Sequence, residues 1–423
     1  MKVFLKNKVL FTQAYLYNLT RKEFIIMKKV LSVLVLFLFS VCFLTACKKN
    51  SDDVVKLGVV SNLSVAAQFY GEEVVNGYKL AVDEINKNGG FEVDGKKLKV
   101  ELVIKDDAAD ASTAVTQYNT MVDDIDAVLG ATITGTSIAL SEACNADGMP
   151  MVTPSGTGDA ITYDNGKLKS TVFRTCFIDS YQGTILAKFA KDKNVKRVVL
   201  FKNSSDAYSS GIADAFAAGA SEYGYEVVQT LTYDNLDTLK SSMATFTTTT
   251  LAALPDAVVV PDYTDQVRTV VAALRTAAVP YTGIICGGDG WDGVTTGYEH
   301  PEYFVNTFYA TAIYPNDTTE KVAKFYADYK AAFNDSSFDF YRNGHSEVPS
   351  MFAALAYDAV YLYAEAFKKA GTKDNAEVVK ALKEITFAGV TGSLTFDSKN
   401  NPQKSAPILT FKADGTLEYY KAL

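Results

Sequence analysis

From Val54 to the C-terminus the chain alternates between two hydrophobic rhythms. Residues 54–60 (Val-Val-Lys-Leu-Gly-Val-Val) form a largely apolar run of strand length. After a loop over 61–71, a stripe at Val74, Val75, Tyr78, Ala81, Val82 and Ile85 repeats at helical spacing. Asn88-Gly89-Gly90 closes that helix, since glycine can take the left-handed conformation that ends a last turn. Period-two alternation over 98–104 predicts a second strand, and Ala114, Val115, Tyr118, Met121 and Val122 predict a helix over 110–124. Short buried strands at 127–129 and 149–152 bracket a helix from about 136 to 147.

The alternation resumes after Phe173. Helices over 180–191, 210–223, 239–252 and 266–278 interleave with strands at 197–201, 226–229, 257–260 and 283–286. Strand-helix repeats of this kind predict parallel sheets covered on both faces, and two blocks of them predict an α/β protein of two doubly wound lobes. The remainder predicts a strand near 309–313, helices over 320–333, 351–370 and 374–385, and a hairpin-like pair at 393–396 and 408–411. Helices this apolar need a sheet to cover, which assigns them to the first lobe. The expected division is 54–173 with 312–391 for lobe I, and 174–311 with 392–423 for lobe II.

Composition narrows the class. The chain has 423 residues, 48% of them hydrophobic, which is too long for one ordinary core and suits two domains. With 25 Phe and 25 Tyr it carries more aromatic surface than a disordered chain. Lys and Arg number 41 against 49 Asp and Glu, with no cationic block, so a nucleic-acid partner is not expected. Two His and five Cys leave little from which to build a metal centre, and no metal or cofactor is expected.

Residues 1–46 read as an export signal. Met27-Lys28-Lys29 is a positive segment, an apolar run of about 14 residues follows from Val30 to Phe43, and Leu44-Thr45-Ala46-Cys47 closes it. The run is short for a bilayer-spanning helix. Met27 opens this signal by itself and is the expected start. Leu-Thr-Ala-Cys resembles the lipobox of bacterial lipoproteins, which implies lipidation of Cys47 and a polar tether over 47–53. Removing residues 1–46, with seven Lys/Arg and one Glu, leaves 377 residues and 34 basic against 48 acidic side chains. Three cysteines then remain in the fold, Cys144, Cys176 and Cys286, with one bridge open to them.

Ligands of doubly wound sheets bind where strands end and helices begin, because backbone N–H groups converge there. In the first block those positions hold Phe69-Tyr70-Gly71, the Gly130 to Ser137 segment and Thr153-Pro154-Ser155-Gly156-Thr157. In the second they hold Tyr208, Pro261-Asp262-Tyr263 and Gly287-Gly288-Asp289-Gly290-Trp291. Hydroxyls and amides in one lobe facing aromatics and a carboxylate in the other suit a zwitterion. Its carboxylate would sit on the helix N-terminus near Thr134, and its ammonium on Asp289, helped by groups around Ser155 and Thr157. Each of these residues also has a structural reading, as a helix cap, a core lid or a turn. The Gly130 to Ser137 segment has Thr136 where a phosphate loop needs Lys, and no G-x-S-x-G elbow is present, so no enzyme is expected.

In these residues the chain resembles the type I periplasmic binding fold and, within it, the branched-chain amino-acid (Leu/Ile/Val) binding lipoproteins of ABC transporters. The features are Phe69-Tyr70-Gly71 with Asn76-Gly77, the Asp83 to Gly90 run, Val152 to Thr157, Phe173-Arg174-Thr175, Tyr208 and Gly287 to Trp291. The resemblance implies a Venus flytrap with three hinge crossovers, near 171–176, 308–312 and 392–395. It implies that Thr134 binds the ligand carboxylate, that Ser155, Gly156, Thr157 and Asp289 receive its ammonium, and that Tyr70, Tyr208 and Tyr263 wall the pocket. Asp289 stands where the best-known member has a longer acid, and Gly156 replaces a common Ala.

The function so implied is an extracytoplasmic, membrane-anchored monomer that captures an amino acid, branched-chain or otherwise apolar, by hinge closure and passes it to an ABC permease. Two alternatives are a ligand-sensing receptor lipoprotein of the same fold, and a binder of a different small amide or aromatic acid.

Overall fold

The computed structural model describes residues 53–315 and 317–423; the expected export signal, Cys47 and most of the expected tether lie outside the described residues. The first sheet is built from β1 (Val54–Ser61), β2 (Phe91–Val93), β3 (Lys96–Asp106), β4 (Ala127–Gly130) and β5 (Met151–Thr153). A two-residue hairpin, β6 (Tyr163–Asp164) with β7 (Lys167–Leu168), precedes its last strand, β8 (Val172–Arg174). The order is β2-β3-β1-β4-β5-β8, parallel except for the β2–β3 hairpin.

The largely apolar run read in β1 is buried on both faces of the sheet, which explains why helices cover both. Val55, Leu57 and Val59 enter one core with the Gln68–Lys87 and Met351–Ala370 helices, whereas Val60 enters another with Tyr118, Met121 and Leu140. The two helices on the first face cross at Gly77, where a Cβ would lie 2.1 Å from the Ala353 carbonyl oxygen. Only glycine permits that approach. The C-terminal helices thus cover the first sheet.

The second sheet holds β9 (Arg197–Asn203), β10 (Glu226–Tyr233), β11 (Ala257–Val259), β12 (Ile284–Gly287) and β13 (Thr307–Ala310), in the parallel order β10-β9-β11-β12-β13. The small antiparallel pair β14 (Phe387–Gly389) and β15 (Gly392–Leu394) stands apart from both sheets. Two antiparallel strands, β16 (Pro407–Phe411) and β17 (Leu417–Ala422), complete the second sheet beyond β13.

The expected pairing of 393–396 with 408–411 is therefore wrong. Residues 392–394 turn back on 387–389, and Asp358 of the Met351–Ala370 helix fixes that turn by accepting from Val390 N, Thr391 N and the Thr391 hydroxyl. Asn400 reaches Val172 O at 3.0 Å, so the chain stays against the first lobe well past 392 and enters the second sheet only at Pro407.

Three segments connect the sheets, at 175–178, 311–319 and 395–406. The first is held to lobe I by the Thr175 hydroxyl donating to Leu355 O, and the second is tied to the start of β16, just past the third, by Thr311 N donating to Pro407 O. The protein is thus a pair of doubly wound lobes on a three-crossover hinge. Cys144, Cys176 and Cys286 are buried free thiols, so no bridge forms among them.

Candidate functional site

Helices begin earlier than their apolar stripes, and this places the candidate residues. Gln68–Lys87 starts after Ala67 in a left-handed conformation, so Tyr70 lies in the first helical turn rather than in a loop. Thr134 is the first residue of Thr134–Asp147, whose N-cap, Ile133, offers no side-chain acceptor to the first amides. Asp179 opens the Asp179–Asp192 helix directly after the first crossover.

Six of the eight expected residues line one cavity between the lobes: Tyr70, Thr134 and Ser155 from lobe I, and Tyr208, Tyr263 and Asp289 from lobe II. Gly156 and Thr157 stand just behind it. Gly156 donates to Thr153 Oγ1 at 2.9 Å, and the Thr157 hydroxyl meets the Thr134 hydroxyl at 3.3 Å. A Cβ at Gly156 would lie 2.5 Å from Ser137 Oγ, itself bonded to Ala131 O, which accounts for glycine here. The Ser155 hydroxyl is committed to Thr132 O at 2.8 Å.

The aromatic residues close the cavity. Tyr70 spans the lobes, its hydroxyl donating to Gly290 O at 2.6 Å and accepting from Thr264 N at 2.9 Å. Tyr208 stacks on Tyr263 at 5.0 Å and accepts from Gly290 N at 2.7 Å. Phe352, at the start of the Met351–Ala370 helix, packs edge-on against Tyr70 and supplies an apolar wall that the sequence reading did not include. The enclosed volume is about 10 Å³, room for about one water, so an amino acid can enter only when the lobes part.

The electrostatics are set by carboxylates. Gln182 brackets Asp289, donating from Nε2 to Oδ1 at 3.1 Å and accepting from the Asp289 amide at 2.9 Å, while Oδ2 has no partner. Burial pushes the Asp289 carboxyl up to about 6, against the lowering effect of Gln182 and Tyr208.

Asp179 is a second carboxylate of this kind, absent from the sequence reading. Its backbone N–H donates to Thr157 O at 2.9 Å, and no donor reaches either side-chain oxygen in hydrogen-bond geometry. Burial drives its carboxyl well above the usual range, and the Asp289 charge adds to the shift. Asp at a helix start is ordinarily explained by the helix dipole, which hid it. Among the described residues no Lys or Arg lines the cavity.

A larger cavity, about 360 Å³, lies between Phe69, Asp292 and the 346–350 loop. Its carboxylates are already bonded. Glu73 accepts from Tyr329, Ser350 and His345, and Asp292 accepts from Met351 N and Tyr309. Unpartnered charge thus distinguishes the smaller cavity. No cluster of potential metal ligands occurs among the described residues.

Two lobes on a hinge, with unsatisfied polar groups facing each other across the cleft, define a receptor that closes on a small polar ligand. The chain belongs to the periplasmic binding protein family, which it matches over residues 54–416. It is 31% identical over 348 residues to the Leu/Ile/Val-binding protein BraC3 of Rhizobium johnstonii, covering 81% of this chain and 90% of that one.

Among solved structures it resembles the branched-chain amino-acid transporter substrate-binding protein LivJ of Streptococcus pneumoniae in complex with isoleucine, with 30% identity, a TM-score of 0.75, and coverage of 88% and 99%. A solute-binding protein of R. palustris in complex with benzoate shares the fold at 19% identity and a TM-score of 0.72, over 87% and 96% of the two chains. Periplasmic binding proteins act outside the cytoplasm. No helix among the described residues is long and apolar enough to cross a membrane.

Proposed function

We propose that this protein is an extracytoplasmic solute-binding lipoprotein that captures an amino acid, branched-chain or otherwise apolar, and delivers it to an ABC transporter permease. The observation that carries the reading is the buried Asp289 carboxylate, with an unpartnered oxygen, in a cavity that is also lined by Thr134 at the uncapped N-terminus of Thr134–Asp147; Asp179, a second buried carboxylate, stands beside Thr157 behind that lining. A ligand ammonium would satisfy Asp289, and a ligand carboxylate would take the Thr134 hydroxyl and the first-turn amides. Tyr70, Tyr208, Tyr263 and Phe352 leave an apolar enclosure for the side chain.

The likeness to Leu/Ile/Val-binding proteins at about 30% identity supports an aliphatic side chain. Cys47 would carry the lipid, with 1–46 removed on export and 47–53 as the tether. Because the partners of the two ligand charges lie on different lobes, binding favours closure.

Calorimetry of the full-length protein in detergent, after removal of co-purified ligand, against the twenty amino acids and a set of aromatic acids tests the reading. Binding of leucine, isoleucine or valine with hinge closure by small-angle scattering is expected. Binding of benzoate-type acids alone would refute it, since such ligands leave the Asp289 carboxylate unpaired.

A further inference from the structure

Arg174 ends β8 and leads into the first crossover, and it is fully buried. Among the described residues no carboxylate lies within ion-pair distance of it. Its two Nη atoms bond the loop that follows β5, while Nε is buried without a partner among the described residues. Nη1 donates to Gly156 O at 2.9 Å, and Nη2 donates to Gly158 O at 3.0 Å and to the Thr162 hydroxyl at 3.2 Å. The Cys176 thiol adds a second donor to Gly156 O at 3.2 Å. The carbonyl between them, Thr157 O, is taken by Asp179 N. Gly158 O also accepts from Ile161 N at 3.1 Å, so Gly156 O and Gly158 O each hold two donors and Thr157 O holds one.

We propose that Arg174 is a positioning residue of the amino-acid site. It grips the carbonyls on both sides of Thr157, which fixes the Thr157 hydroxyl against Thr134 at the edge of the cleft and keeps the loop in the position from which the ligand's amino group reaches Asp289. The forked guanidinium suits this task because its planar donors span two acceptors at once, which an ammonium cannot do. Its place on a crossover also ties the loop to the segment that flexes when the lobes move. This inference rests on the functional reading above, and a test must separate the two.

The test compares wild type, R174K and R174Q as full-length protein in detergent. Calorimetry measures L-leucine and its hydroxy analogue, 2-hydroxy-4-methylpentanoate, and amide exchange reports on 155–158. Losing the clamp frees carbonyls and lets Thr157 move, so R174Q is expected to bind leucine at least about thirtyfold more weakly, and R174K about tenfold. The hydroxy acid should lose less than about threefold, because it has no ammonium to place. Exchange at 155–158 should accelerate at least tenfold in both variants.

Leucine affinity within twofold of wild type in R174K overturns the proposal. So does an equal loss for both ligands, the mark of general destabilisation. If wild type binds none of the twenty amino acids, the functional reading falls instead. Unchanged exchange at 155–158 then removes the clamp as well, and accelerated exchange retains it as a determinant of loop position.

Discussion

An unpartnered carboxylate held ready for an ammonium should weaken the ligand-free fold, and Asp289→Asn measures by how much. Asp289 is 2% exposed, and its Oδ2 has no partner. Moving its carboxyl from 3.8 to about 6 disfavours the ionised form in the folded protein by about 3 kcal/mol at neutral pH. Asparagine keeps Oδ1 as the acceptor for Gln182 and puts an uncharged amide where the bare oxygen stood.

The sign follows from which state binds the proton more tightly. Below about pH 4 the carboxyl is protonated in folded and unfolded chains alike, and the penalty vanishes. It grows as pH rises from 4 to 6 and is complete above 6. D289N should therefore be more stable than wild type by up to about 3 kcal/mol at pH 7.5, and by less than about 1 kcal/mol at pH 4. Urea unfolding of the detergent-solubilised protein at both pH values reads this. Bound ligand must first be stripped, because ligand at a hundred times its Kd would stabilise wild type by about 2.7 kcal/mol and hide the gain. A variant less stable than wild type at pH 7.5, or a gain of equal size at pH 4, would refute the account of Asp289 as a strained anchor.

Four further outcomes follow from the same geometry. Amino-acid affinity should fall about tenfold between pH 7 and pH 5, since binding needs Asp289 ionised and its carboxyl titrates near 6; calorimetry showing a flat profile would contradict this. Tyr70→Phe removes the hydroxyl that joins Gly290 O and Thr264 N across the cleft, so stopped-flow fluorescence should show dissociation about tenfold faster with little change in association. Gly77→Ala forces a methyl onto the Ala353 carbonyl and should cost about 1–3 kcal/mol by urea unfolding, with site affinity unchanged in the folded fraction. Cys47→Ala should abolish metabolic labelling with a radioactive fatty acid and release the protein from the membrane fraction; retention of both would remove the lipobox reading.

What the sequence disclosed and what it hid have one physical cause. Apolar runs, period-two alternation and helical spacing report burial, so they locate β1, β3, the Met351–Ala370 helix and the doubly wound pattern. They are silent where a helix begins on polar residues. Tyr70, Thr134 and Asp179 all sit in first turns whose apolar stripe starts one turn later, and those turns are where the cleft lies. The mispaired hairpin has a different origin: β15 and β16 are adjacent in sequence but belong to opposite sides of the third crossover, and local spacing carries no trace of that.

Asp179 marks the limit most clearly. As a sequence letter it is an ordinary helix-opening acid, and only its burial and its bare oxygens separate it from a cap. Asp289 fixes the sense of the site. The cavity has one carboxylate, Asp289, and no Lys or Arg in its lining among the described residues, and the protein around it carries 34 basic and 48 acidic side chains after residue 46, so the long-range field repels any anion. A ligand carboxylate can be held only by short-range dipoles, and the first turn of Thr134–Asp147 is the set of dipoles aimed there. A zwitterion thus has one orientation open to it, anionic end on lobe I and cationic end toward lobe II, and a ligand with no cationic end leaves the buried Asp289 charge unanswered and binds more weakly.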